Sequence, residues 1–453
     1  MIVLSPGEGV SPEEIETHYC RSAFIKEICV MRVAGPDGIG AGRLFDVVVP
    51  DLDRLRAKRI VNAGDLLRFE MEGLAAALPA HRRVAGYDIW FEPLPRTTAD
   101  AIDRSAVEQR ARERQEIASG NRDAPISPAD LQWMAEPHSA RVLAIIRARM
   151  RKGTRLFPGA NLEIDLGFDS MERVELLTEL EQRIGAKVAQ PAAAGIFTVR
   201  QLVAALSADG IEGSRTESPA RSWAVLLRDL PPATDPVLSG LLEKRSIAAP
   251  LLYLGLRVIR AFLVRIEMAG LEHLPKSGAY IVTPNHQSYL DPLMLCAMLP
   301  FRIFRHLFFV GAVEYFETPL TQWFARLANL VPVDPDSNLV PAMRAGAFGL
   351  AHGRVLVLFP EGERSIDGTV KKFKKGAPIL AQHLGVPIVP VAIKGVFELW
   401  PRGRSFNWRL LRLWSRHRVK IAIGEPVTFA EDADYNQTAA ALRDRVEKMW
   451  SCL

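Results

Sequence analysis

Residues 246–453 repeat one pattern that constrains how this part of the chain folds. Short apolar runs rich in β-branched residues end in polar corners that contain proline or glycine, as in GAYIVTPNHQS and VLVLFPEGERS. The segments that follow, such as YLDPLMLCAML, have the apolar content of helices. Strands that alternate with helices predict an α/β domain, and α/β proteins tend to hold their functional side chains where the strands end.

The length of the chain predicts several domains. Its 453 residues exceed what one hydrophobic core usually serves. Polar and charge-rich stretches fall within residues 106–136 and 211–245, and we interpret both segments as linkers. Three blocks then remain, at residues 1–105, 137–210 and 246–453.

The composition is that of an ordinary folded protein. The hydrophobic fraction is 48% and the charged fraction 24%, while a net charge of +5 indicates nucleic acid only where the charge is clustered. Cys20, Cys29, Cys296 and Cys452 are scattered, which predicts neither a zinc site nor a disulfide framework and fits a reducing cytosol. The first residues lack a basic start followed by an apolar core, so we expect no secretory signal.

The most apolar segment is residues 247–266, where arginines interrupt the run and argue against a membrane-spanning helix. Its apolar residues recur at helical spacing; they are Leu251, Leu252, Gly255, Val258, Ile259, Phe262, Leu263 and Ile266. The pattern predicts an amphipathic helix with a basic side. Such a helix either lies in an anionic membrane surface or packs on its own domain, and this segment alone favours neither.

The first block mixes predicted strands and helices. FIKEICVMRV and LFDVVVPD are typical of strands, and AGDLLRFEMEGLAAAL has helical periodicity. With GEGVSPEEIE and LPRTTADAID, this order resembles the small α+β C-terminal subdomain of adenylate-forming acyl-CoA or acyl-carrier-protein synthetases. The large domain with the phosphate loop is missing, however, and Ala101 stands where that family has a lysine. The resemblance therefore implies an incomplete block without adenylation activity, either a docking module or an evolutionary remnant.

The second block centres on LEIDLGFDSMERVELLTELEQRIG, where Ser170 follows Asp169 at a predicted helix start. The polar side of that helix carries glutamates, which are Glu172, Glu175, Glu179 and Glu181. Serine often caps a helix, and that is one interpretation of Ser170. The block also resembles the acyl carrier protein family and its D-S-(L/M) motif. That resemblance implies an all-α, four-helix carrier domain with 4′-phosphopantetheine on Ser170 and an acidic helix that docks on basic partners.

The stretch TPNHQSYLDP sets His286 and Asp291 five positions apart at a predicted strand-to-helix junction. A metal site would need further ligands at regular spacing, and the other histidines of this block are isolated; they are His306, His352, His383 and His417. A buried core histidine and a general base remain as interpretations. In the second, the Asp291 carboxylate would hold the imidazole in one tautomer and stabilise the imidazolium that forms on proton uptake.

A second polar corner, FPEGERS, follows another apolar run. Gly362 lets the backbone approach a ligand closely, and the guanidinium of Arg364 suits a phosphate. GVPIVPV then leads into a further strand. NHQSYLD, FPEGERS and GVPIVPV, in this order, resemble three motifs of the glycerol-phosphate and lysophosphatidate acyltransferase family, over about residues 250 to 430.

This resemblance implies roles for individual residues. His286 would be the general base that deprotonates the acceptor hydroxyl, and Asp291 would orient it. The implied substrate-binding residues are Asn285, Ser288, Glu361, Gly362 and Arg364, the last facing an acceptor phosphate. Pro335 stands where the second motif of the family usually has an arginine that helps to hold this phosphate. An acceptor other than glycerol phosphate or a lysophosphatidate therefore stays open.

Basic residues cluster at Lys371–Lys375 and again between Arg402 and Lys420, where Phe406, Trp408 and Trp414 lie among them. Nucleic acid and an anionic bilayer are both possible partners for such surfaces, as is an exposed basic face without any partner. Next to an acyltransferase-like block, the bilayer is favoured, because aromatic residues prefer headgroup depth.

Together, these features predict an acyltransferase that moves a fatty acyl group from an acyl thioester, on an acyl carrier protein or coenzyme A, to a hydroxyl of a glycerol-phosphate-type lipid precursor in phospholipid biosynthesis. No metal is expected. The predicted partners, besides donor and acceptor, are an anionic membrane surface, a phosphopantetheinyl transferase and a separate adenylating protein, without nucleic acid. The predicted location is cytoplasmic and peripheral on the inner membrane face. Two alternatives are an O-acyltransferase for an amino-lipid or glycolipid, and a carrier scaffold with a vestigial transferase.

Overall fold

The computed structural model describes most of the chain in two compact units, Met1–Ala220 and Arg221–Leu453. The residues described are 2–5, 8–33, 43–57, 63–75, 78–79, 82–84, 86–119, 128–150, 154–162, 165–168, 170–185, 196–208, 223–228, 230–232, 238, 241, 248–263, 265–311, 329–332, 339–401, 406–411, 417–430 and 432–453.

The first block is an α+β structure built on a three-stranded sheet. Its elements are β1 (Ile2–Ser5), β2 (Glu8–Val10), α1 (Pro12–Tyr19), β3 (Ile25–Val33), β4 (Arg43–Pro50), α2 (Leu52–Ala57), α3 (Ala63–Ala75) and β5 (Gly86–Ile89). β4 lies in the middle, antiparallel to β3 and parallel to β5. α1 and α3 bury Ile15, Tyr19 and Leu67 in one core with β3 and β4. The two strands and the helix predicted for this block are confirmed as β3, β4 and α3. Each buries its apolar residues in the core of the block.

The second block is helical. Two helices precede it, α4 (Arg104–Ser119) and α5 (Pro128–Ala135), and its own described helices are α6 (Pro137–Arg149), α7 (Ser170–Ile184) and α8 (Val199–Ala208). α6, α7 and α8 share a core that contains Val142, Ile146, Leu176, Leu180 and Leu202. The predicted helical carrier region is confirmed. Residues 186–195, where the remaining helix of the predicted four would lie, are outside the described residues.

One aromatic contact joins the two blocks of this unit. The ring of Phe197, which precedes α8, stacks on that of Phe91, and their centroids are 5.7 Å apart. Phe197 is only 3% exposed, and it shares its cluster with the fully buried Leu55 and Ala63 of the first block. The carrier region therefore inserts one large apolar side chain into the surface of the α+β block.

The structure differs from the sequence within both predicted linkers. α4 lies mostly in residues 106–136 and buries Val107 and Ala111 in the core of the first block. Residues 211–245 contain α9 (Trp223–Arg228), whose Leu226 carbonyl accepts a hydrogen bond from Arg344 Nε in the second unit. Both segments are helical where they carry apolar residues that can be buried, although their flanking polar residues suggested linkers. The other domain boundaries stay predictions.

The second unit is an α/β domain with a seven-stranded sheet in the order β6-β12-β11-β7-β10-β8-β9. The strands are β6 (Arg265–Ala269), β7 (Tyr280–Pro284), β8 (Leu307–Gly311), β9 (Leu330–Pro332), β10 (Val355–Val357), β11 (Ile388–Lys394) and β12 (Arg418–Ile423). All neighbouring pairs are parallel except β11 with β12. The prediction of an α/β domain is confirmed for this part of the chain.

Helices cover both faces of this sheet. They are α10 (Ala248–Leu263), α11 (Asp291–Met298), α12 (Phe301–Phe304), α13 (Leu339–Ala351), α14 (Gly376–Leu384) and α15 (Tyr435–Cys452). Leu256 and Leu295 pack with Val282 on one face. On the other, α13 approaches β8 so closely that a Cβ at Gly349 would lie 2.3 Å from the Phe308 ring. The glycine therefore permits this close packing of helix on strand.

The predicted amphipathic helix is shorter than the sequence suggested. α10 ends at Leu263. Ile266 belongs to β6, whose main chain pairs with β12 at the edge of the sheet. Leu256 is buried in the core of the domain, whereas Leu251, Leu254 and Val258 are exposed by 63%, 59% and 48%. Of the helices in the described ranges, none is both long and apolar enough to cross a membrane.

Candidate active site

The candidate site lies where two neighbouring strands end. β7 and β10 are parallel, with Val282 opposite Val357, so the loops that follow them leave the same edge of the sheet. One loop contains His286 and leads into α11. The other contains Glu361 and Arg364. The sequence predicted both corners separately, and the sheet brings them together.

The carboxylate of Asp291 organises the first loop. His286 Nδ1 lies 2.8 Å from Asp291 Oδ2, and the same oxygen accepts hydrogen bonds from the main-chain N–H groups of Gln287, at 2.5 Å, and Ser288, at 2.7 Å. Asp291 is completely buried and opens α11, with Pro292 next to it. Asp291 Oδ2 thus fixes the main chain of the loop through two N–H groups and orients the imidazole of His286.

This arrangement determines which histidine nitrogen can accept a proton. A carboxylate only accepts hydrogen bonds, so in the neutral imidazole of His286 the hydrogen is on Nδ1 and the lone pair is on Nε2. The side chain of His286 is 18% exposed, and its ring stacks on Phe359 with centroids 4.1 Å apart. The imidazole is therefore held on one face and by Nδ1, as a general base should be.

The second loop is bonded to the main chain of His286 at two points. Glu361 Oε1 accepts from the His286 N–H at 3.1 Å, and the Ser365 N–H donates to the His286 carbonyl at 2.7 Å. Gly362 lies between them with φ at +77°, and a Cβ there would come within 3 Å of the Lys374 side chain. The turn therefore favours glycine for its positive φ, whereas the end of the flexible Lys374 side chain could move aside.

Burial raises the pKa of the Glu361 carboxyl to about 8, and the nearby Asp291 adds to the increase. At pH 7 this group is therefore mainly a neutral carboxylic acid. A buried neutral acid next to the histidine adds no second negative charge beside Asp291. Its predicted role in substrate binding stays a prediction, because the hydrogen bonds observed for its carboxyl group come from the main chain of His286 and Lys371.

Arg364 is nearly buried and stacks on an aromatic ring. Its guanidinium carbon lies 3.3 Å from the centroid of the Tyr289 ring. Tyr289 is three residues after His286, so this contact also joins the two loops. The predicted role of Arg364 in holding an acceptor phosphate stays a prediction.

Two predicted substrate-binding residues have structural bonds instead. Asn285 is completely buried; its Nδ2 donates to the Ile393 carbonyl at 3.0 Å and its Oδ1 accepts from the Ile393 N–H at 2.6 Å. Ser288 is also completely buried, and its Oγ donates to the Trp400 carbonyl at 2.9 Å. Their polar groups bond the loop to β11 and to the segment after it, and their predicted contact with substrate stays a prediction.

The predictions for Pro335 and for the basic clusters concern residues that are only partly among the described ones. Pro335 and most of the basic residues between Arg402 and Lys420 lie outside the described residues. In the cluster Lys371–Lys375, Lys371 Nζ pairs with Asp367 at 2.6 Å. Over the described ranges, no three His, Cys, Asp or Glu side chains are grouped as metal ligands would be.

Ser170 is the first residue of α7, and Asp169 before it lies outside the described residues. The start of a helix suits an attached phosphate group, because its backbone N–H groups have no partners within the helix and point at an anion. The attachment of 4′-phosphopantetheine at Ser170 fits this position. Of the acidic residues predicted on α7, Glu175 and Glu179 pair with Arg149 of α6.

Three contributors to the site had no signal in the sequence. Phe359 covers the imidazole, Tyr289 covers Arg364, and the buried Gln287 donates through Nε2 to the Gly368 carbonyl at 2.5 Å. All three lie inside or beside the motifs that the sequence singled out. Their partners are at least 70 positions away along the chain, so single-sequence patterns could not identify them.

Comparison with known proteins agrees with this geometry. Residues 265–394, which include both loops, match the family model described as "Acyltransferase". This region is an acyltransferase domain. Residues 140–206, which include Ser170, match the model "Phosphopantetheine attachment site". The acyltransferase domain is therefore preceded by a phosphopantetheine attachment domain, as the resemblances predicted.

Relatives of the acyltransferase domain carry related names. The 1-acyl-sn-glycerol-3-phosphate acyltransferase LPAT1 of Arabidopsis thaliana is 34% identical over 167 residues, which is 36% of this chain and 44% of the relative. The 1-acyl-sn-glycerol-3-phosphate acyltransferase alpha of Bos taurus is 35% identical over 171 residues, 36% of this chain and 54% of the relative. The chain thus spans about half the length of the curated relatives that it matches.

Two solved structures also align with the chain. The 1-acyl-sn-glycerophosphate acyltransferase PlsC of Thermotoga maritima is 28% identical, covers 48% of this chain and 86% of its own, and gives a TM-score of 0.38. The adenylation and carrier didomain of a carboxylic acid reductase from Segniliparus rugosus is 22% identical, covers 46% of this chain and 29% of its own, and gives a TM-score of 0.21. Both TM-scores are too low to support an inference.

Proposed function

We propose that this protein transfers a fatty acyl group from an acyl thioester to a free hydroxyl of a glycerol-phosphate-type lipid precursor. The single observation that carries the proposal is the pairing of His286 with the buried Asp291 in a domain of the acyltransferase family. The names of the relatives support a lysophosphatidate as the acceptor, because they describe acylation of 1-acyl-sn-glycerol 3-phosphate.

In this mechanism, His286 Nε2 takes the proton from the acceptor hydroxyl as its oxygen attacks the thioester carbonyl. The imidazolium is stabilised by Asp291, which lies 2.8 Å from Nδ1. A new carbon–oxygen ester bond forms, the carbon–sulfur bond breaks, and the imidazolium returns the proton to the leaving thiolate. Main-chain N–H groups would stabilise the oxyanion, as in other acyl transfers.

The preceding domain supports a carrier-bound donor. A phosphopantetheine arm on Ser170 would supply a thiol that holds the acyl group as a thioester. Ser170 would hold the arm at the start of α7. The same helix packs Leu176 and Leu180 in the core of the carrier region. A donor on the same chain is present at high effective concentration, without a diffusional encounter.

The exposed apolar side of α10 supports a position at a membrane surface. Leu251, Leu254 and Val258 are spaced three and four residues apart and project from a helix whose Leu256 is buried in the domain. Such a side is suited to the boundary between headgroups and acyl chains, where lysolipid acceptors also lie. We therefore propose a peripheral protein on the cytoplasmic face of the membrane.

The transfer can be tested with protein that has been loaded with an acyl chain and mixed with lysophosphatidate. We expect diacylated product by mass spectrometry, and a rate lowered by about 10²- to 10⁴-fold in His286→Ala. His352→Ala is the matched control, because His352 bonds the Phe348 carbonyl in the same domain. Equal transfer with and without His286 would refute the proposal.

The carrier assignment has a separate test. Incubation with a phosphopantetheinyl transferase and coenzyme A should add the mass of one phosphopantetheine to the wild type and none to Ser170→Ala. Modification that persists in Ser170→Ala would exclude Ser170 as the attachment residue.

A further inference from the structure

The contact between Tyr289 and Arg364 is the closest cation–aromatic contact found in the described residues. The guanidinium carbon of Arg364 is 3.3 Å from the Tyr289 ring centroid, and Arg364 is only 8% exposed. At this distance the planar guanidinium is in van der Waals contact with the face of the ring. The ring therefore limits the rotation of the guanidinium plane, while Tyr289 itself is 38% exposed at the site.

Tyr289 is also packed against other aromatic residues. Its ring centroid is 5.0 Å from that of Trp400, which packs edge-on against Phe406 at 5.5 Å. The neighbouring Ser288 Oγ also donates to the Trp400 carbonyl. The orientation of the tyrosine ring is thus fixed by both its packing and the anchored main chain beside it.

The stack lies between the two loops of the candidate site. Tyr289 follows His286 by three residues, and Arg364 precedes Ser365, whose N–H donates to the His286 carbonyl. Main-chain bonds join the loops on one side and the Tyr289–Arg364 stack joins them through side chains. The plane of the guanidinium therefore has a fixed relation to the histidine.

We propose that Tyr289 is a positioning residue that holds the Arg364 guanidinium in the orientation that binds the phosphate monoester of the acceptor. This inference rests on the proposed function and makes it more specific. A guanidinium binds phosphate through paired N–H groups, so its orientation matters, and a side chain that is ordered beforehand loses less entropy on binding. The acceptor class is then a lysolipid with a phosphate monoester. The stack would not increase the affinity for lipids that carry a hydroxyl but no phosphate.

The kinetic test compares Tyr289→Leu and Tyr289→Phe with the wild type, using short-chain 1-hexanoyl lysophosphatidate and 1-hexanoylglycerol as acceptors. Tyr289→Leu should raise KM for lysophosphatidate about tenfold, which equals about 1.4 kcal/mol, and change kcat less than about threefold. Tyr289→Phe keeps the ring face and should retain the wild-type KM. KM for hexanoylglycerol should not change in either variant.

Phe301→Leu is the matched control. Phe301 is 39% exposed, similar to Tyr289, but its ring contacts Tyr253 and Phe304 and not an arginine. Trp400→Leu is a second variant, which removes the aromatic neighbour of Tyr289 and leaves both Tyr289 and Arg364 unchanged. It should raise KM for lysophosphatidate in the same direction, by about two- to fivefold.

Calorimetric binding of the same two lipids, without any donor, separates this inference from the proposed function. The wild type should bind hexanoyl lysophosphatidate more tightly than hexanoylglycerol, and Tyr289→Leu should weaken only the former. An unchanged or tighter affinity in Tyr289→Leu would overturn the inference, as would a wild type that does not distinguish the two lipids. If binding follows the expectation but no acceptor is acylated, the proposed function fails while the role of Tyr289 stands.

Discussion

Replacing Asp291 with asparagine tests the electrostatic part of the proposed mechanism with little change in shape. Asp291 Oδ2 accepts three hydrogen bonds, from His286 Nδ1 and from the Gln287 and Ser288 N–H groups. The amide oxygen of asparagine can accept the same three. The substitution therefore removes the negative charge and leaves the loop closed.

The size of the effect follows from the charge that forms on the histidine. Unit charges whose centres are about 4 Å apart attract by about 4 kcal/mol at an effective dielectric constant of about 20. That energy corresponds to about three powers of ten in rate. Partial compensation by solvent should reduce it, so we expect kcat to fall by about 100- to 1,000-fold, with KM for lysophosphatidate changed less than about threefold.

The assay is acyl transfer from a soluble acyl thioester, followed by mass spectrometry, together with thermal unfolding. Asp434→Asn is the control, because Asp434 caps α15 by accepting from the Gln437 N–H and asparagine caps equally well. A fall in kcat of less than about fivefold in Asp291→Asn, in a variant that unfolds like the wild type, would refute charge stabilisation by Asp291.

Three further predictions concern other sites. Glu361→Gln keeps the bond to His286. The pKa of Glu361 is about 8 in the folded protein and ordinarily 4.5, so the stability of the wild type should fall as the pH rises between these two values. Thermal unfolding of the variant should show a smaller fall over the same pH range. Burial, with the charge of Glu16 adding to it, raises the pKa of Asp46, so the stability of β4 should likewise fall with rising pH above the ordinary value; hydrogen exchange in Asp46→Asn should lack this dependence, and equal profiles would contradict it. Leu254→Glu should weaken binding to phosphatidylglycerol vesicles about tenfold in sedimentation assays, whereas Leu131→Glu, at a similarly exposed leucine of α5, should have no effect.

The sequence was most informative where the interactions are local. His286 and Asp291 are five positions apart in one loop, so their pairing depends only on a tight turn before α11. The strands and helices around them followed from apolar periodicity. For the same reason the helical nature of the carrier region could be predicted from the spacing of residues such as Leu180.

The sequence was least informative where a polar side chain bonds to a distant main chain. Asn285 and Ser288 flank the histidine, and their hydrogen-bond partners, Ile393 and Trp400, are more than 100 positions away. A motif shows which residues lie near one another but not which distant main-chain groups they bond. The stack of Arg364 on Tyr289 was unpredictable for the same reason.

The insertion of Phe197 into the first block has a consequence for how this chain could change during evolution. A carrier without its α+β neighbour would expose the aromatic ring of Phe197 to water. Loss of the first block would therefore favour self-association unless residue 197 changed as well. The first block can thus be retained because the carrier region has come to depend on it to bury Phe197.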